Sequence, residues 1–291
     1  MNRQDSNVGN LGDVAKHLAY VALAERLRSA WPEPRPLTVV DFFAYRLRAP
    51  LGPKAALDGI GRNPEISEIF PDASHHPALS LYQALQRAEG DHYLCSPGLA
   101  LQLVGSPRTS FLFAEADAST RDALIDASMK GPFRWSQFKV VEEARRIEEA
   151  KSEPGAVLAL FDPFTFEVGR DDQLWASVGR TLAQSIASPA NAPGALLAFR
   201  FDDSHREKPW PDLSARGWLA GPLLTWKRGG YCLALYATPS FADAASQTVM
   251  ALGAWKPSWL LLGADLAWGG GHTGWAEAGT MGEKIAPILL H

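Results

Sequence analysis

The chain has 291 residues, 46% of them hydrophobic and 21% charged, with a net charge of −4. This is an ordinary globular composition, long enough for one large α/β domain or two small ones. It leaves no basic excess to draw in a phosphate backbone, so a nucleic-acid partner would need a local patch. Arg46 with Arg48, Arg145 with Arg146 and Lys227 with Arg228 are the candidates, and each pair is equally at home on a solvated face. No stretch approaches the ~20 apolar residues of a membrane span. The polar start MNRQDSNVGNLGD lacks the apolar centre of a secretory signal, so no membrane association and a cytoplasmic location are expected. Cys95 and Cys232 each lie in or beside an apolar run, which suits buried thiols better than a disulfide framework.

Along the chain, DVAKHLAYVALAERL (Asp13 to Leu27) places Val14, Leu18 and Val21 on one helical face and Leu23 with Leu27 on another. It predicts a first helix, apolar on more than one side, behind an Asp13 cap. The Pro-rich WPEPRP ends it, and LTVVDFF, a β-branched apolar run around Asp41, reads as a buried strand. Residues 53 to 91 read as a helical insertion containing PALSLYQALQRAEGD. Beyond SPGLALQLVG, SFLFAEAD predicts a second strand ending at Glu115, and RDALIDASM a helix; the amphipathic FKVVEEARRIEEAK follows. GAVLALFDP is another buried strand, DQLWASVGRTLAQSI a helix, GALLAFRFDD a strand and YCLALYATP a late strand. Strands alternating with helices predict one α/β domain over residues 1 to 291, a Rossmann-like, mostly parallel sheet with helices on both faces. Ligands of such sheets bind beyond the carboxyl ends of the strands. Asp41, Glu115 and Asp162 stand at three of those ends and are expected to line one crevice.

Several chemistries are excluded by missing spacing: there is no GxxxxGK[ST], HExxH, CxxC or GxSxG. DDSH at 202 to 205 reads as a helix-capping turn and SHH at 74 to 76 as a solvated loop. The Gly-rich AWGGGHTGWAEAGTMGEK, with His272, reads as turns or a binding loop, and the ten tryptophans as packing residues. What remains is the set of acids. A carboxylate after the second strand can accept from both hydroxyls of a ribose, which fits Glu115. In FDPF, the proline stiffens the turn after Asp162, so that its carboxylate could accept from an exocyclic amine while an aromatic two or so residues later stacks the base. The competing reading is that Asp162 caps the next segment while Phe164 and Phe166 simply pack.

Five stretches in register resemble one known family. GNLGDVAKH (residues 9 to 17) is similar to its GN-x-ADVLKH, and VVDFFAYRLRAPLG stands where it has a strand followed by Asp-Thr-His-Ala-Gly-Ala-Gly. YLCSPGLALQLV resembles its Tyr-Pro-Gly-Ser-Pro, FLFAEADAS its Glu-Leu-His strand end, and AVLALFDPFTFE its Asp-Pro-Pro-Tyr-Glu. The family is the bacterial ribosomal RNA large subunit methyltransferase J family, which methylates N6 of an adenine in 23S rRNA with S-adenosylmethionine, and the likeness spans roughly residues 7 to 280. It implies a methyltransferase-type sheet, S-adenosylmethionine as cofactor and RNA as partner. It further implies that His17 and Ser96 contact the cofactor with Lys16 beside them, that Glu115 holds the ribose, and that Asp162 is the acceptor at the target amine. Phe164 and Phe166 fall where the family stacks the base.

The departures fall on the cofactor loop, where Phe43, Tyr45 and Leu47 replace a His and two glycines, and on the last motif, where Phe164 and Thr165 replace Pro and Tyr. Glycine serves such a loop by letting backbone amides approach a ligand without a Cβ in the way. The family's Asp-Gly near the adenine has no counterpart in KGPFRWSQF, and Asn2 stands near its RNA-contacting tyrosine. Two readings therefore stand side by side: an N-methyltransferase, or a methyltransferase-fold binding protein that has lost its cofactor loop. A hydrolase or nucleotide enzyme built on the same crevice is a third, by analogy of fold.

Overall fold

The first helix, α1 (Leu11–Ala30), carries Val14, Leu18, Tyr20, Val21, Leu23, Ala24 and Leu27, all at most 1% exposed. Apolar on more than one side as far as Leu27, α1 is covered by the sheet and three other helices, with its last turn exposed. It starts two residues before the predicted cap: Asp13 belongs to its first turn, where Oδ2 accepts from the Gly9 amide at 2.9 Å and Oδ1 from Lys16 Nζ at 2.9 Å. A carboxylate there also complements the positive end of the helix dipole.

The computed structural model describes residues 8–9, 11–50, 77–90, 92–130, 137–142, 146–147, 154–162, 192–200, 213, 217–226, 231–254, 259–261 and 276–277. After α1 come β1 (Leu37–Asp41), β2 (Arg48–Pro50), α2 (Pro77–Ala88), β3 (His92–Leu94), α3 (Ser96–Val104), β4 (Thr109–Ala114) and α4 (Ala118–Ser128). β5 (Gln137–Val141), β6 (Ala156–Phe161), β7 (Gly194–Arg200), β8 (Leu219–Trp226) and β9 (Tyr231–Ala237) follow, then α5 (Ala242–Ala254), β10 (Trp259–Leu261) and β11 (Ala276–Glu277). The amphipathic FKVVEEARRIEEAK thus opens as a strand, its FKVV pairing along β4. The helix expected at DQLWASVGRTLAQSI, DDSH, SHH and Phe164 with Phe166 lie outside the described residues. Of the predicted insertion, α2 is described and is helical; β2 and β3 pair antiparallel on either side of it.

The strand order is β10-β8-β9-β7-β6-β1-β4-β5, with β11 paired to β8. β5, β4, β1, β6 and β7 are mutually parallel; β9 is antiparallel to both β7 and β8, so β8 runs parallel to β7. This is a Rossmann-like, mostly parallel sheet with flanking helices. Its strand order reverses direction beside β1, with β4 and β5 to one side and β6 and β7 to the other, and it is at such a switch point that open α/β sheets bind ligands. Side chains alternate between the faces. Val39, Phe111, Phe113, Leu158, Leu160 and Leu197 join α1, α2 and α3 in one core, while Val40, Leu112, Val157, Ala159, Phe161 and Leu196 are equally buried on the other face. Burial on both faces explains why these strands read as unbroken apolar runs.

At the opposite, amino-terminal edge, a cleft of about 20 Å³ is lined by Leu27, Trp31, Leu37, Thr109 and Ala156. It has room for about one water, and its polar groups are already used: Trp31 Nε1 donates to the Pro36 carbonyl at 3.0 Å and the Arg35 guanidinium lies 4.6 Å from the Trp31 ring centroid.

Candidate functional site

β4, β1 and β6 are adjacent, with Asp41 opposite Phe113 and Leu160. Glu115 follows β4 directly and Asp162 follows β6, so the three acids do emerge at one edge of the sheet, Asp41 in the middle. By alternation Asp41 shares the face of Val39, the face that α1 covers.

The first turn of α1 meets this edge. Lys16, 5% exposed, joins Asp13 to Asp162 through its ammonium, 146 residues along the chain from Asp162. Burial alone would strip the proton from Lys16, but the two carboxylates outweigh it and hold the ammonium charged far beyond neutral pH. Burial raises Asp162 above the ordinary carboxylate range, and Lys16 pulls it back. Asp41 is fully engaged: Oδ2 accepts from Ser96 Oγ at 2.7 Å and Oδ1 from the Phe43 amide at 3.1 Å. Burial still pushes its pKa up to about 6, against those two bonds.

Glu115 is different. Oε1 accepts from the Asp117 amide at 2.7 Å, whereas Oε2 is buried and has no hydrogen-bond partner among the described residues. Burial, opposed by the Asp117 amide and reinforced by the carboxylates of Asp117 and Asp41, pushes its pKa up to about 7. His17 shows the same pattern. Nδ1 shares a hydrogen bond with the Tyr93 hydroxyl at 2.8 Å, while Nε2 is buried without a partner among the described residues. Burial and the neighbouring Lys16 depress its pKa to about 3, so the ring is neutral. Unsatisfied buried polar atoms are rare in folded proteins, and these two side chains each carry one.

The segment that enters from β1 takes a course that the sequence left open. The Phe42 amide donates to the Leu160 carbonyl at 3.0 Å and the Ala44 amide to the Ala114 carbonyl at 2.8 Å, stitching the turn to β6 and β4. With the Phe43 amide on Asp41, these three amides are spent on the protein itself. The bulky side chains divide: Phe43 packs edge-on to Phe161 with ring centroids 5.0 Å apart, while Tyr45 and Leu47 pack against the core under α1. Phe161 belongs to the other face of the sheet, so the Phe43 ring does not sit among the acids. The Leu47 carbonyl accepts from the Cys95 amide at 3.0 Å, and Cys95 is a free, buried thiol, as its sequence context implied.

Lys16 meets Asp162 and Ser96 meets Asp41 at the carboxyl edge, where Glu115 follows β4; His17, next to Lys16 in α1, is paired with Tyr93, and Phe164 and Phe166 lie outside the described residues. Sequence reasoning missed Tyr93 and Tyr82, whose hydroxyls lie 2.9 Å apart behind His17. Their only trace was an aromatic in YLCSP and one in a helical run.

Nothing among protein-family models matches the chain, and no curated protein matches it significantly. Among solved structures, protein LPL1258 of Legionella pneumophila strain Philadelphia 1, assigned to family model DUF519, superposes with a TM-score of 0.64 at 15% identity, over 87% of this chain and 96% of its own. A human methyltransferase 10 domain containing protein gives a TM-score of 0.39 at 10% identity, over 82% of this chain and 92% of its own. An rRNA methylase of Streptococcus thermophilus gives 0.36 at 8% identity, over 76% and 95%. At 15% identity the likeness to the Legionella protein is one of fold, and it extends over almost the whole of that protein. The chain therefore shares the fold of that protein, a Rossmann-like, mostly parallel sheet with flanking helices. No helix among its described residues is long and apolar enough to cross a membrane.

Proposed function

We propose that the carboxyl edge of β4, β1 and β6 binds S-adenosylmethionine and that the chain is a methyltransferase acting on an amino group, with adenine N6 in RNA as the acceptor that the sequence resemblance implies. The observation that carries this reading is the buried, partnerless Oε2 of Glu115 at the end of β4. That is where a doubly wound sheet holds a ribose, and a diol would supply the missing donor. His17 and Ser96 would contact the same ligand, with Lys16 beside them. S-adenosylmethionine, when bound, supplies an electrophilic methyl group. The chain's own part is orientation: Asp162, anchored by Lys16, accepts an N–H of the amine and turns the nitrogen lone pair toward the reacting carbon. Phe164 and Phe166 would stack an extruded base. One domain, residues 1 to 291, would carry all of this.

A second reading, a methyltransferase-fold binding protein without catalysis, is favoured by one observation: the amides of Phe42, Phe43 and Ala44 are already committed to Leu160, Asp41 and Ala114. A loop so occupied has fewer amides to offer the methionine end of the cofactor.

A thermal-shift titration with S-adenosylmethionine and S-adenosylhomocysteine separates the two. A ligand bound only by the folded state adds ~2.7 kcal/mol at a hundred times its Kd. No shift at millimolar ligand would remove the methyltransferase reading. If binding is seen, Asp162→Asn should abolish methyl transfer to RNA while leaving the shift in place; transfer that survives the substitution assigns the acceptor role elsewhere.

A further inference from the structure

The imidazole of His17 is gripped from behind. Its Nδ1 meets the Tyr93 hydroxyl at 2.8 Å, and that hydroxyl lies 2.9 Å from the Tyr82 hydroxyl. The three side chains come from α1, β3 and α2 and are at most 3% exposed. The His17 and Tyr93 rings also stack, with centroids 5.5 Å apart and an interplanar angle of 29°, so the imidazole is fixed in rotation as well as in hydrogen bonding. α2 is itself tied to β3, since Gln86 accepts from the Leu94 amide at 2.8 Å and donates to the Leu94 carbonyl at 3.0 Å.

A neutral imidazole carries one N–H, and whichever nitrogen holds it is settled by the partner of the other. The Tyr93 hydroxyl can donate to Nδ1 or accept from it, so the direction of the Tyr82–Tyr93–His17 hydrogen-bond chain sets the tautomer of His17. What is left over is Nε2, which has no partner although it is buried. The arrangement is the one by which a histidine that binds a ligand through one nitrogen is oriented through its other. Burial and the adjacent Lys16 ammonium both keep a second proton off the ring.

We infer that Tyr93, backed by Tyr82, is a positioning residue: it holds His17 in a single neutral tautomer and thereby makes Nε2 a fixed contact for the ligand of the carboxyl-edge site. The ligand half of this inference rests on the nucleotide-binding reading above; the tautomer half stands on the Tyr82, Tyr93 and His17 contacts alone.

The test is ¹⁵N spectroscopy of the imidazole nitrogens in the full-length protein labelled at histidine, with His17→Gln identifying the His17 signals. One tautomer, unchanged across roughly pH 5 to 8, is expected. Tyr93→Phe should give shifts averaged between the two tautomers and weaken S-adenosylhomocysteine binding by roughly fivefold, the worth of one hydrogen bond. Tyr82→Phe should do less of both. In a His17→Gln background, where an amide replaces the imidazole, adding Tyr93→Phe should leave affinity unchanged, whereas a merely structural role for Tyr93 would lower it again. An unchanged tautomer in Tyr93→Phe, averaged tautomers in the unaltered protein, or additive losses would each overturn the inference. If the unaltered protein binds no S-adenosylhomocysteine, the nucleotide reading fails and the ligand half with it, while the tautomer signals still decide the part played by Tyr93.

Discussion

Lys16, in the first turn of α1, holds the carboxylate of Asp162 at the end of β6, across 146 residues of chain. The contact fastens the helix to the strand edge where the acids gather, and it comes at the cost of taking an ammonium and two carboxylates largely out of water. Such clusters are stable only while complete.

Lys16→Met is therefore expected to destabilise the fold by roughly 3 kcal/mol, because it leaves Asp13 and Asp162 facing each other without their counter-ion. Asp162→Asn should cost clearly less, since Lys16 keeps Asp13 at 2.9 Å. Urea denaturation of the two variants measures the difference, and equal losses would mean that the pair with Asp13 adds nothing once Asp162 is neutral.

The pKa of Glu115 is raised from 4.5 when exposed to about 7 in the fold. The folded state thus binds the proton more tightly than the unfolded chain, and stability conferred at acid pH is lost as pH climbs from about 4.5 through about 7. Glu115→Gln removes this dependence, so the variant should gain on the parent by up to ~3 kcal/mol over that interval. A ribose hydroxyl donating to Oε2 would favour the carboxylate, so nucleoside affinity should rise with pH through the same range. Denaturation and titration series at stepped pH check both; a stability difference that does not vary with pH refutes the first.

Gly98 lies in the first turn of α3, where an added Cβ would stand 2.2 Å from the Leu47 carbonyl oxygen and 2.6 Å from Leu94 Cδ1. Backbone cannot yield to a methyl at that distance without moving the loop, so Gly98→Ala should cost about 3 kcal/mol or more. Gly90, with φ of +62° but open space around its Cβ position, should lose only ~1 kcal/mol on becoming Ala. A pair of thermal melts ranks them, and the reverse order would contradict the close approach of α3 to the loop.

Phe43 packs edge-on against Phe161. Phe43→Ala should accordingly lower stability by about 2 kcal/mol while leaving nucleoside affinity within about twofold. A large gain in affinity would instead show the ring to be the obstacle that the sequence pattern implied.

The parallel core was legible because burial on both faces writes itself as unbroken apolar runs: LTVV, SFLFA, AVLALF and GALLAF are all strands. The acids after β4 and β6 could be placed for the same reason. The amphipathic stretch after residue 137 is left unassigned by its pattern because β5 is an outer strand with a half-exposed face, and its alternation over FKVV is too short to separate from a helical period. β2 and β3 are three residues each, below the length at which any period is visible. At the site, residue types were readable and partners were not. Nothing in SPGLAL says that Ser96 faces Asp41, and nothing in YLCSP says that Tyr93 reaches α1, because both contacts are made across the fold.

The placement of α1 has a consequence for how the protein is made. On its sheet side the apolar surface, complete by residue 30, can be covered only when β6 and β7 exist, and its Lys16 must wait for a residue 146 positions later. At ribosomal speeds of ~5 to 20 residues per second, this leaves a greasy helix uncovered for roughly 7 to 30 s on every nascent chain. Ribosome-bound intermediates of this protein should therefore be captured by holdase chaperones until strand β7 has cleared the exit tunnel, and released abruptly thereafter.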